Sequence, residues 1–188
     1  MIFTRFPSSL VGHGEALVRP SASTSFDYEG ELAVIIGDVV RHADAETAMS
    51  AIAGYSCLMD GTLRDFQRHT SQFTAGKNFD RSGSWGPWIV TADAIADPTA
   101  LTLETLLDGE VVQSASTEQL IFGIADIIAY CSTFTTLEPG DVIATGTPGG
   151  VGYARDPQRW LTPGADITVR ISGVGELSNS IIDDKDLP

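Results

Sequence analysis

The stretch FDYEGELAVIIG, residues 26–37, carries a carboxylate at every second position before it becomes apolar. This alternation, followed by β-branched residues, is typical of a strand that runs into a protein core. Side chains two residues apart in a strand point to the same face, so Asp27, Glu29 and Glu31 are predicted to share one. At roughly 7 Å and an effective dielectric of ~20, each neighbouring charged pair would repel by about 2 kcal/mol. Some other group must therefore offset this repulsion.

Clustered carboxylates of this kind occur in three settings. They form a solvated strand face, they share a proton, or they bind a hard cation. The apolar continuation LAVIIG places these acids near buried structure, and Asp60 likewise follows the apolar run SCLM. A divalent ion would neutralise several such acids at once, but the spacing alone leaves the three possibilities open.

The composition limits the class of protein. The chain has 188 residues, enough for one domain with a sizeable core, and 43% of them are hydrophobic. Its formal net charge of −14 argues against a nucleic-acid partner and against binding to an anionic membrane surface. Cys57 and Cys131 lie in apolar runs without a CxxC spacing, which predicts buried, reduced thiols. The sequence shows no signal peptide and no apolar run of 18 residues, so a cytosolic protein is expected.

Short alternating segments predict a domain made mostly of strands. Residues 54–61 are typical of a buried strand that ends near Asp60. Residues 101–116 are typical of a hairpin whose Asp108-Gly109 turn suits type I′ geometry. Further strands are predicted at 86–95, at 142–147 and, as a pair, within 165–181.

Two helices are predicted from their capping residues. Asp44 is placed to cap a short helix with an apolar side of Ala, Met and Ile. Ser116 and Gln119 have the spacing of a capping box, which predicts that residues 117–134 form the longest helix.

A second polar group lies in DGTLRDFQRHTSQFTAGKNF, residues 60–79. It contains Arg64, Gln67, His69 and Lys77. Lys77, between Gly76 and Asn78, is either a residue of a functional site or an exposed loop lysine. His69, flanked by polar residues, is expected to be exposed rather than catalytic.

The glycine-rich segment ATGTPGGVG, residues 144–152, does not match a nucleotide-binding loop. It lacks a terminal Lys-Ser/Thr and does not open a helix with GxGxxG. Its backbone N–H groups and the hydroxyls of Thr145 and Thr147 suit a carboxylate instead, although a plain tight turn accounts for it as well. The absence of a GxSxG motif leaves a covalent hydrolase unsupported.

Taken in order along the chain, several motifs together resemble the catalytic domain of the fumarylacetoacetate hydrolase superfamily. They are YEGELAVIIG, DGTLRDFQ, GKNFD, GPWIVTADAI, LEPGDVIATGTPGGVG and GELSNSI. The resemblance runs from about residue 3 to residue 182. It implies a single catalytic domain over 1–188, mainly β (α+β), a mixed β-sandwich roll with two or three short helices that usually forms a homodimer.

The resemblance also implies the site residues. Glu29, Glu31 and Asp60 correspond to the ligands of Mg²⁺ (or Mn²⁺ or Ca²⁺), whereas Asp27 is outside the ligand set. Lys77 corresponds to a catalytic and substrate-binding lysine beside the metal. The remaining substrate-binding positions implied are Arg64, Gln67 and Thr147.

The function implied is hydrolysis of a C–C bond in a small acylpyruvate, β-dicarbonyl or 2-oxo acid, such as those formed in aromatic catabolism. The bound ion would stabilise an enolate as a Lewis acid, and Lys77 would add a second positive charge. A hydratase, isomerase or decarboxylase is the alternative, and a non-catalytic metal-binding module is the rival from another class.

One family feature is expected upstream of this sequence. Family members usually carry an Asn-Tyr-x-x-His-x-x-Glu-like stretch whose His–Glu pair activates water, and this sequence begins after that point. His13, in VGHGE, occupies a different position and is not assigned that role. Either the N-terminal part of the family's chain is missing from this sequence, or the protein lacks that base. In both cases we expect these 188 residues to bind metal but to show weak or no hydrolase turnover.

Overall fold

The computed structural model describes residues 1–186. Its strands are β1 (Leu10–Val11), β2 (Leu17–Arg19), β3 (Phe26–Asp27), β4 (Gly30–Ile36), β5 (Ile52–Met59), β6 (Thr62–Leu63), β7 (Gly83–Thr91), β8 (Thr102–Leu107), β9 (Glu110–Ser116), β10 (Val142–Ala144), β11 (Asp166–Ile171) and β12 (Gly175–Asp183). Its α-helices are α1 (Ala45–Ser50), α2 (Arg64–Gln67), α3 (Thr74–Lys77) and α4 (Ile124–Phe134). The mainly β composition predicted from the sequence is confirmed.

The strands form two mixed five-stranded sheets and one short ladder. The first sheet has the order β1-β7-β5-β4-β10, the second β2-β12-β11-β8-β9, and β3 pairs with β6. β1 runs parallel to β7 and β2 parallel to β12, while the remaining pairs are antiparallel. Every residue of β4 is buried, so this strand lies at the centre of the molecule.

The structure corrects the interpretation of residues 26–37 as one continuous strand. β3 ends at Asp27 and β4 begins at Gly30, so Asp27 belongs to a different ladder from Glu31. The Asp27 side chain accepts a hydrogen bond from the N–H of Tyr28 at 2.9 Å. Such a local bond competes with the sheet ladder and interrupts the strand. The three carboxylates therefore do not share one strand face.

The hairpin and the first helix are confirmed. Asp108 and Gly109 have φ angles of 53° and 80°, as a type I′ turn requires, and they join β8 to β9. Asp44 accepts a hydrogen bond from the N–H of Thr47 at 2.9 Å and caps α1.

The longest helix is shorter than predicted. The capping box between Ser116 and Gln119 is present, but it closes a 3₁₀ turn over Thr117–Gln119. The chain then leaves helical geometry at Leu120, whose ψ is 127°, and α4 starts only at Ile124. A capping box provides hydrogen-bond acceptors for backbone N–H groups of the first turn, but it does not ensure that further helical turns follow.

Other element bounds also differ from the predicted ones. β7 starts before the predicted residue 86 and ends at Thr91, β5 starts at Ile52, and β10 ends at Ala144. The two single-turn helices α2 and α3 were not predicted. The paired strands β11 and β12 were predicted, within residues 165–181.

Both thiols are free and buried, as predicted for Cys57 and Cys131. Burial raises the pKa of the Cys57 thiol to about 12. Within residues 1–186, none of the helices has the length and apolar character needed to cross a membrane.

Candidate metal centre and active site

The pairing of β4 with β5 brings three carboxylates together. The register places Gly30 opposite Met59, so the start of β4 lies beside the end of β5. The N–H of Asp60 donates to the carbonyl of Glu29 at 2.8 Å. One carboxylate oxygen each of Glu29, Glu31 and Asp60 lies within 4.8 Å of the others, and all three residues are buried. The group of residues implied as metal ligands is therefore assembled in the fold.

Lys77 is a buried cation at the centre of this group. Its side chain is 1% exposed, and Nζ lies 2.6 Å from Glu29 Oε2 and 2.6 Å from Asp60 Oδ2. Nζ also donates to the backbone carbonyl of Asp60 at 3.2 Å. The interpretation of Lys77 as an exposed loop residue is wrong. Helix α3 delivers it by packing on α2, where a Cβ on Gly76 would lie only 2.5 Å from the backbone nitrogen of Gln67.

Arg64 forms a second bridge between acidic residues. Its Nη1 lies 2.6 Å from Glu29 Oε1, and its Nε donates to Asp27 Oδ2 at 2.7 Å. Nη1 also donates to Gln67 Oε1 at 3.0 Å, so Gln67 orients the guanidinium. Nη2 is buried and has no hydrogen-bond partner within residues 1–186. Its hydrogens are therefore unpaired within the described structure.

Arg5 is a residue of the site that the sequence analysis missed. Its Nη1 lies 2.5 Å from Asp60 Oδ1, and the guanidinium also donates to Gly61, Ser9 and Ser82. These five bonds match the five N–H groups that a guanidinium carries. The contact joins residues 55 positions apart, and nothing in the local pattern around Arg5 indicates it.

Asp27 has a different role from its neighbouring acids. Its carboxylate is fully buried and accepts four hydrogen bonds: from Arg64 Nε at 2.7 Å and from the N–H groups of Tyr28, Gly152 and Tyr153 at 2.9, 2.7 and 3.0 Å. It thereby ties the glycine-rich segment to the arginine that contacts Glu29. Its exclusion from the metal-ligand set agrees with this geometry, since both oxygens are already satisfied.

Glu31 lacks a cationic partner within residues 1–186. Its Oε2 accepts a hydrogen bond from the N–H of Gly146 at 2.7 Å. Burial, together with the negative charges of Asp60 and Glu29, raises the pKa of the Glu31 carboxyl to about 8. The cluster is therefore short of positive charge.

The donor set fits a divalent cation. Four carboxylates meet three cationic side chains in this cluster: Asp27, Glu29, Glu31 and Asp60 against Arg5, Arg64 and Lys77. A hard divalent ion prefers carboxylate oxygens and would supply the missing charge next to Glu31. The buried Glu-Glu-Asp group could thus hold such an ion.

Thr147 lies beside the carboxylate cluster, but its hydroxyl is engaged by the protein. It donates to the carbonyl of Gly30 at 3.0 Å and accepts from Gln113 Nε2 at 2.9 Å. Gln113 Oε1 in turn accepts the N–H of Gly30 at 3.0 Å. The two residues hold the YEGEL segment against the glycine-rich segment, and a direct contact of Thr147 with substrate stays a prediction.

Neither histidine of interest belongs to the cluster. His69 is exposed, as predicted, and its ring lies 4.7 Å from that of Phe66. His13 is also exposed, and its Nδ1 accepts a hydrogen bond from the N–H of Ser178 at 3.0 Å.

Residues 1–182 match the family model described as the C-terminal domain of fumarylacetoacetate hydrolase. The chain belongs to the fumarylacetoacetate hydrolase family. Enzymes of this family bind a divalent metal, which agrees with the buried carboxylates described above.

Two curated relatives carry tautomerase names. The chain is 42% identical to human "Oxaloacetate tautomerase FAHD2A, mitochondrial" over 184 residues, which cover 97% of this chain and 59% of the relative. It is 41% identical to "Oxaloacetate tautomerase YisK" of Bacillus subtilis over 182 residues, covering 96% of this chain and 60% of the relative. The chain therefore spans about three-fifths of the length of these relatives.

A solved structure shares the fold. The fumarylacetoacetate hydrolase of psychrophilic Exiguobacterium antarcticum superposes with a TM-score of 0.92 at 43% identity. The match covers 96% of this chain and 65% of that one. The β-roll fold implied by the family motifs is confirmed.

Proposed function

We propose that this chain catalyses the keto–enol tautomerisation of a small 2-oxo acid such as oxaloacetate, with a divalent ion held by Glu29, Glu31 and Asp60. The observation that carries the proposal is the buried cluster in which these carboxylates lie beside Lys77 and Arg64. A 2-oxo acid carries a carboxylate next to a ketone, and positive charge stabilises both groups. Lys77 and Arg64, together with a bound ion, would supply that positive charge in a buried place.

The protein residues would divide the work between binding and charge stabilisation. An ion in this site would act as a Lewis acid on the 2-oxo group. Lys77, held between Glu29 and Asp60, would stabilise the oxygen that gains negative charge as a proton leaves the neighbouring carbon. The guanidinium of Arg64, held beside Glu29, would contribute positive charge toward the substrate carboxylate. A water molecule would accept the proton that leaves carbon, and reprotonation of the resulting enolate on carbon or on oxygen would give the keto or the enol form.

Tautomerisation is preferred here over the C–C hydrolysis that the sequence analysis placed first. The names of the two curated relatives support a tautomerase. Tautomerisation only relocates a proton, whereas hydrolysis also needs a positioned water molecule. Hydrolysis is the second candidate, because the structural neighbour from Exiguobacterium antarcticum is named a fumarylacetoacetate hydrolase.

The proposal also covers the bound ion, the substrate class, the oligomeric state and the cellular location. Mg²⁺ is the preferred ion, the substrate is a small oxo acid, and the chain works as a homodimer. We retain the cytosolic location, although the name of the human relative contains the word mitochondrial.

A direct test follows the enol form of oxaloacetate by its ultraviolet absorbance. We expect faster decay of the enol with protein and Mg²⁺ than with Mg²⁺ alone, and loss of the difference with excess EDTA. Glu31→Ala should behave like the EDTA-treated protein. Release of pyruvate from acylpyruvates without any effect on the enol would favour the hydrolase, and metal binding without turnover of either substrate would favour the non-catalytic module.

A further inference from the structure

We propose that Arg68 and Tyr153 together bind the second carboxylate of a 2-oxo dicarboxylate, at the edge where the buried cluster meets solvent. The inference rests on the proposed function, because it adds which 2-oxo acids the site accepts. Oxaloacetate carries one carboxylate beside its ketone and another at the far end of the molecule. Arg64, Lys77 and a bound ion would bind the ketone end. The far carboxylate is left for a further cation.

A chain of contacts places this pair next to the cluster. Arg64 Nε and the backbone N–H of Tyr153 both donate to Asp27 Oδ2, at 2.7 and 3.0 Å. Arg68 directly follows α2, and residues four apart, such as Arg64 and Arg68, lie on the same side of a helical turn. Both members of the pair are exposed, whereas the Glu29 and Arg64 side chains are only 12% and 11% exposed. The pair therefore lies at the outer edge of the cluster.

Arg68 is unusual among the arginines of this acidic protein. Within residues 1–186 its guanidinium contacts only Tyr153, whose hydroxyl it bonds and whose ring centre lies 4.0 Å from it. The other arginines each bond a carboxylate or a backbone carbonyl, as Arg170 bonds Glu104. A guanidinium carries several N–H groups, so Arg68 retains donors for an external carboxylate.

The Tyr153 hydroxyl adds another donor at the same place. It accepts a hydrogen bond from Arg68 Nη1, so its own hydrogen can be donated to an anion. A planar guanidinium bonds both oxygens of a carboxylate through two parallel N–H groups, and stacking on the aromatic ring fixes the plane of this fork. Donors from both side chains can therefore converge on one carboxylate.

Tyr153 is itself held in place where it follows the glycine-rich segment. Its N–H is bonded to Asp27, its carbonyl accepts a hydrogen bond from Gln158 Nε2 at 3.1 Å, and its ring centre lies 6.4 Å from that of Trp160. Groups that are already ordered lose less conformational freedom when a ligand binds. The fixed ring thus provides a platform for Arg68.

The binding test compares malate with lactate, which differ only by the second carboxylate and carry a hydroxyl in place of the ketone. Each is titrated by calorimetry into the chain with saturating Mg²⁺, against a blank of Mg²⁺ without protein. The wild-type chain should bind malate about tenfold more tightly than lactate, as expected for a hydrogen-bonded charge pair. Arg68→Gln should remove most of this preference, and Tyr153→Phe should reduce it by about threefold.

Arg170→Gln is the matched control. Arg170 is 44% exposed and pairs with Glu104 on the other five-stranded sheet, so its substitution removes one positive charge far from the pair. Because salt screens such a distant charge, the malate preference should stay within about twofold of wild type. This control separates a local contact from the net charge of the protein.

Turnover provides an independent measurement. The enols of oxaloacetate and phenylpyruvate both absorb in the ultraviolet, and phenylpyruvate lacks a second carboxylate. Arg68→Gln should raise KM for the oxaloacetate enol by about tenfold and leave kcat within about twofold, because a contact far from the reacting atoms is the same before and in the transition state. Both constants for phenylpyruvate should stay within about twofold of wild type.

Two outcomes overturn this inference. One is a folded wild-type chain that binds malate no more tightly than lactate. The other is a folded Arg68→Gln protein that keeps the full malate preference and an unchanged KM for the oxaloacetate enol. Thermal melting establishes which variants are folded, and Tyr153→Phe decides the matter if Arg68→Gln does not fold. The proposed function fails separately: malate binding that depends on Arg68, without turnover of either enol, supports this carboxylate site and removes the tautomerase.

Discussion

At Lys77, the contribution to stability and the proposed contribution to catalysis can be measured on one buried side chain. It contacts two buried carboxylates, so Lys77→Met removes a cation that neutralises both. Breaking a buried ion pair costs about 3–5 kcal/mol, and we expect a loss of this size in denaturant unfolding with EDTA present. Mg²⁺ should restore part of the loss by neutralising the same oxygens. The rate constant kcat should fall by about 10²- to 10³-fold even with Mg²⁺, by analogy with a lost oxyanion donor.

The other lysine of the described chain provides the control. Lys185 is 73% exposed and contacts Asp183 at 3.4 Å, so Lys185→Met should change the unfolding free energy by less than about 0.5 kcal/mol. A normal kcat for Lys77→Met would remove Lys77 from the catalytic group, whatever happened to stability. The burial of Lys77 is what makes its substitution costly for folding, since a loop lysine in solvent would behave like Lys185.

Glu31 should be indispensable for ion binding. It has no cationic partner within residues 1–186, so a divalent ion gains more from this carboxylate than from those already paired with Lys77. We expect Glu31→Ala to abolish the calorimetric signal of Mg²⁺ binding. Asp38→Ala, which removes an exposed acid just beyond the far end of β4, should leave it intact. Unchanged Mg²⁺ binding in Glu31→Ala would rule out this ligand assignment.

At the scale of an element, the glycine-rich segment depends on Asp27. Asp27→Asn keeps the shape of the side chain but converts one acceptor oxygen to an NH₂ donor that faces two N–H groups. A hydrogen bond to a charged group is worth about 1.5 kcal/mol or more, so amide exchange at Gly152 and Tyr153 should accelerate by roughly tenfold. Hydrogen-exchange mass spectrometry of residues 146–155 measures this. Asp156→Asn removes the same charge from an exposed neighbouring position and should have no such effect.

The start of β4 requires glycine because the two sheets meet there. A Cβ on Gly30 would lie 2.0 Å from Thr105 Oγ1 on β8. Overpacking of this kind typically costs about 1–3 kcal/mol, which Gly30→Ala should show in denaturant unfolding. Thr105→Ala removes the clashing oxygen, so the double variant should be more stable than the sum of the single effects predicts. Strict additivity would mean that the two residues do not meet as described.

For the whole molecule, local interactions were predictable from the sequence and long-range ones were not. The Asp108-Gly109 turn and the Asp44 cap depend on neighbouring residues, and both were predicted. Glu29, Glu31 and Asp60 were predicted as metal ligands from the family resemblance, and the spacing of the carboxylates supported this prediction. The role of Arg5 was missed because its partner Asp60 is 55 residues away. The sequence could not decide whether Lys77 is buried or exposed, because only the packing of α3 on α2 buries it.

Ion binding should stabilise the entire molecule, because the cluster joins distant parts of the chain. Each of four segments contributes one residue to the cluster. The N-terminal segment contributes Arg5, strand β4 contributes Glu31, helix α3 contributes Lys77, and the glycine-rich segment contributes the N–H of Gly146. A ligand at 100 times its dissociation constant stabilises the native state by about 2.7 kcal/mol. For a chain of this length, each kcal/mol shifts Tm by about 2–4 °C, so saturating Mg²⁺ should raise Tm by roughly 5–10 °C. Scanning calorimetry with Mg²⁺ and with EDTA measures the shift. Glu31→Ala should melt at the same temperature in both buffers, whereas an equal rise in that variant would mean that Mg²⁺ acts elsewhere on this acidic protein.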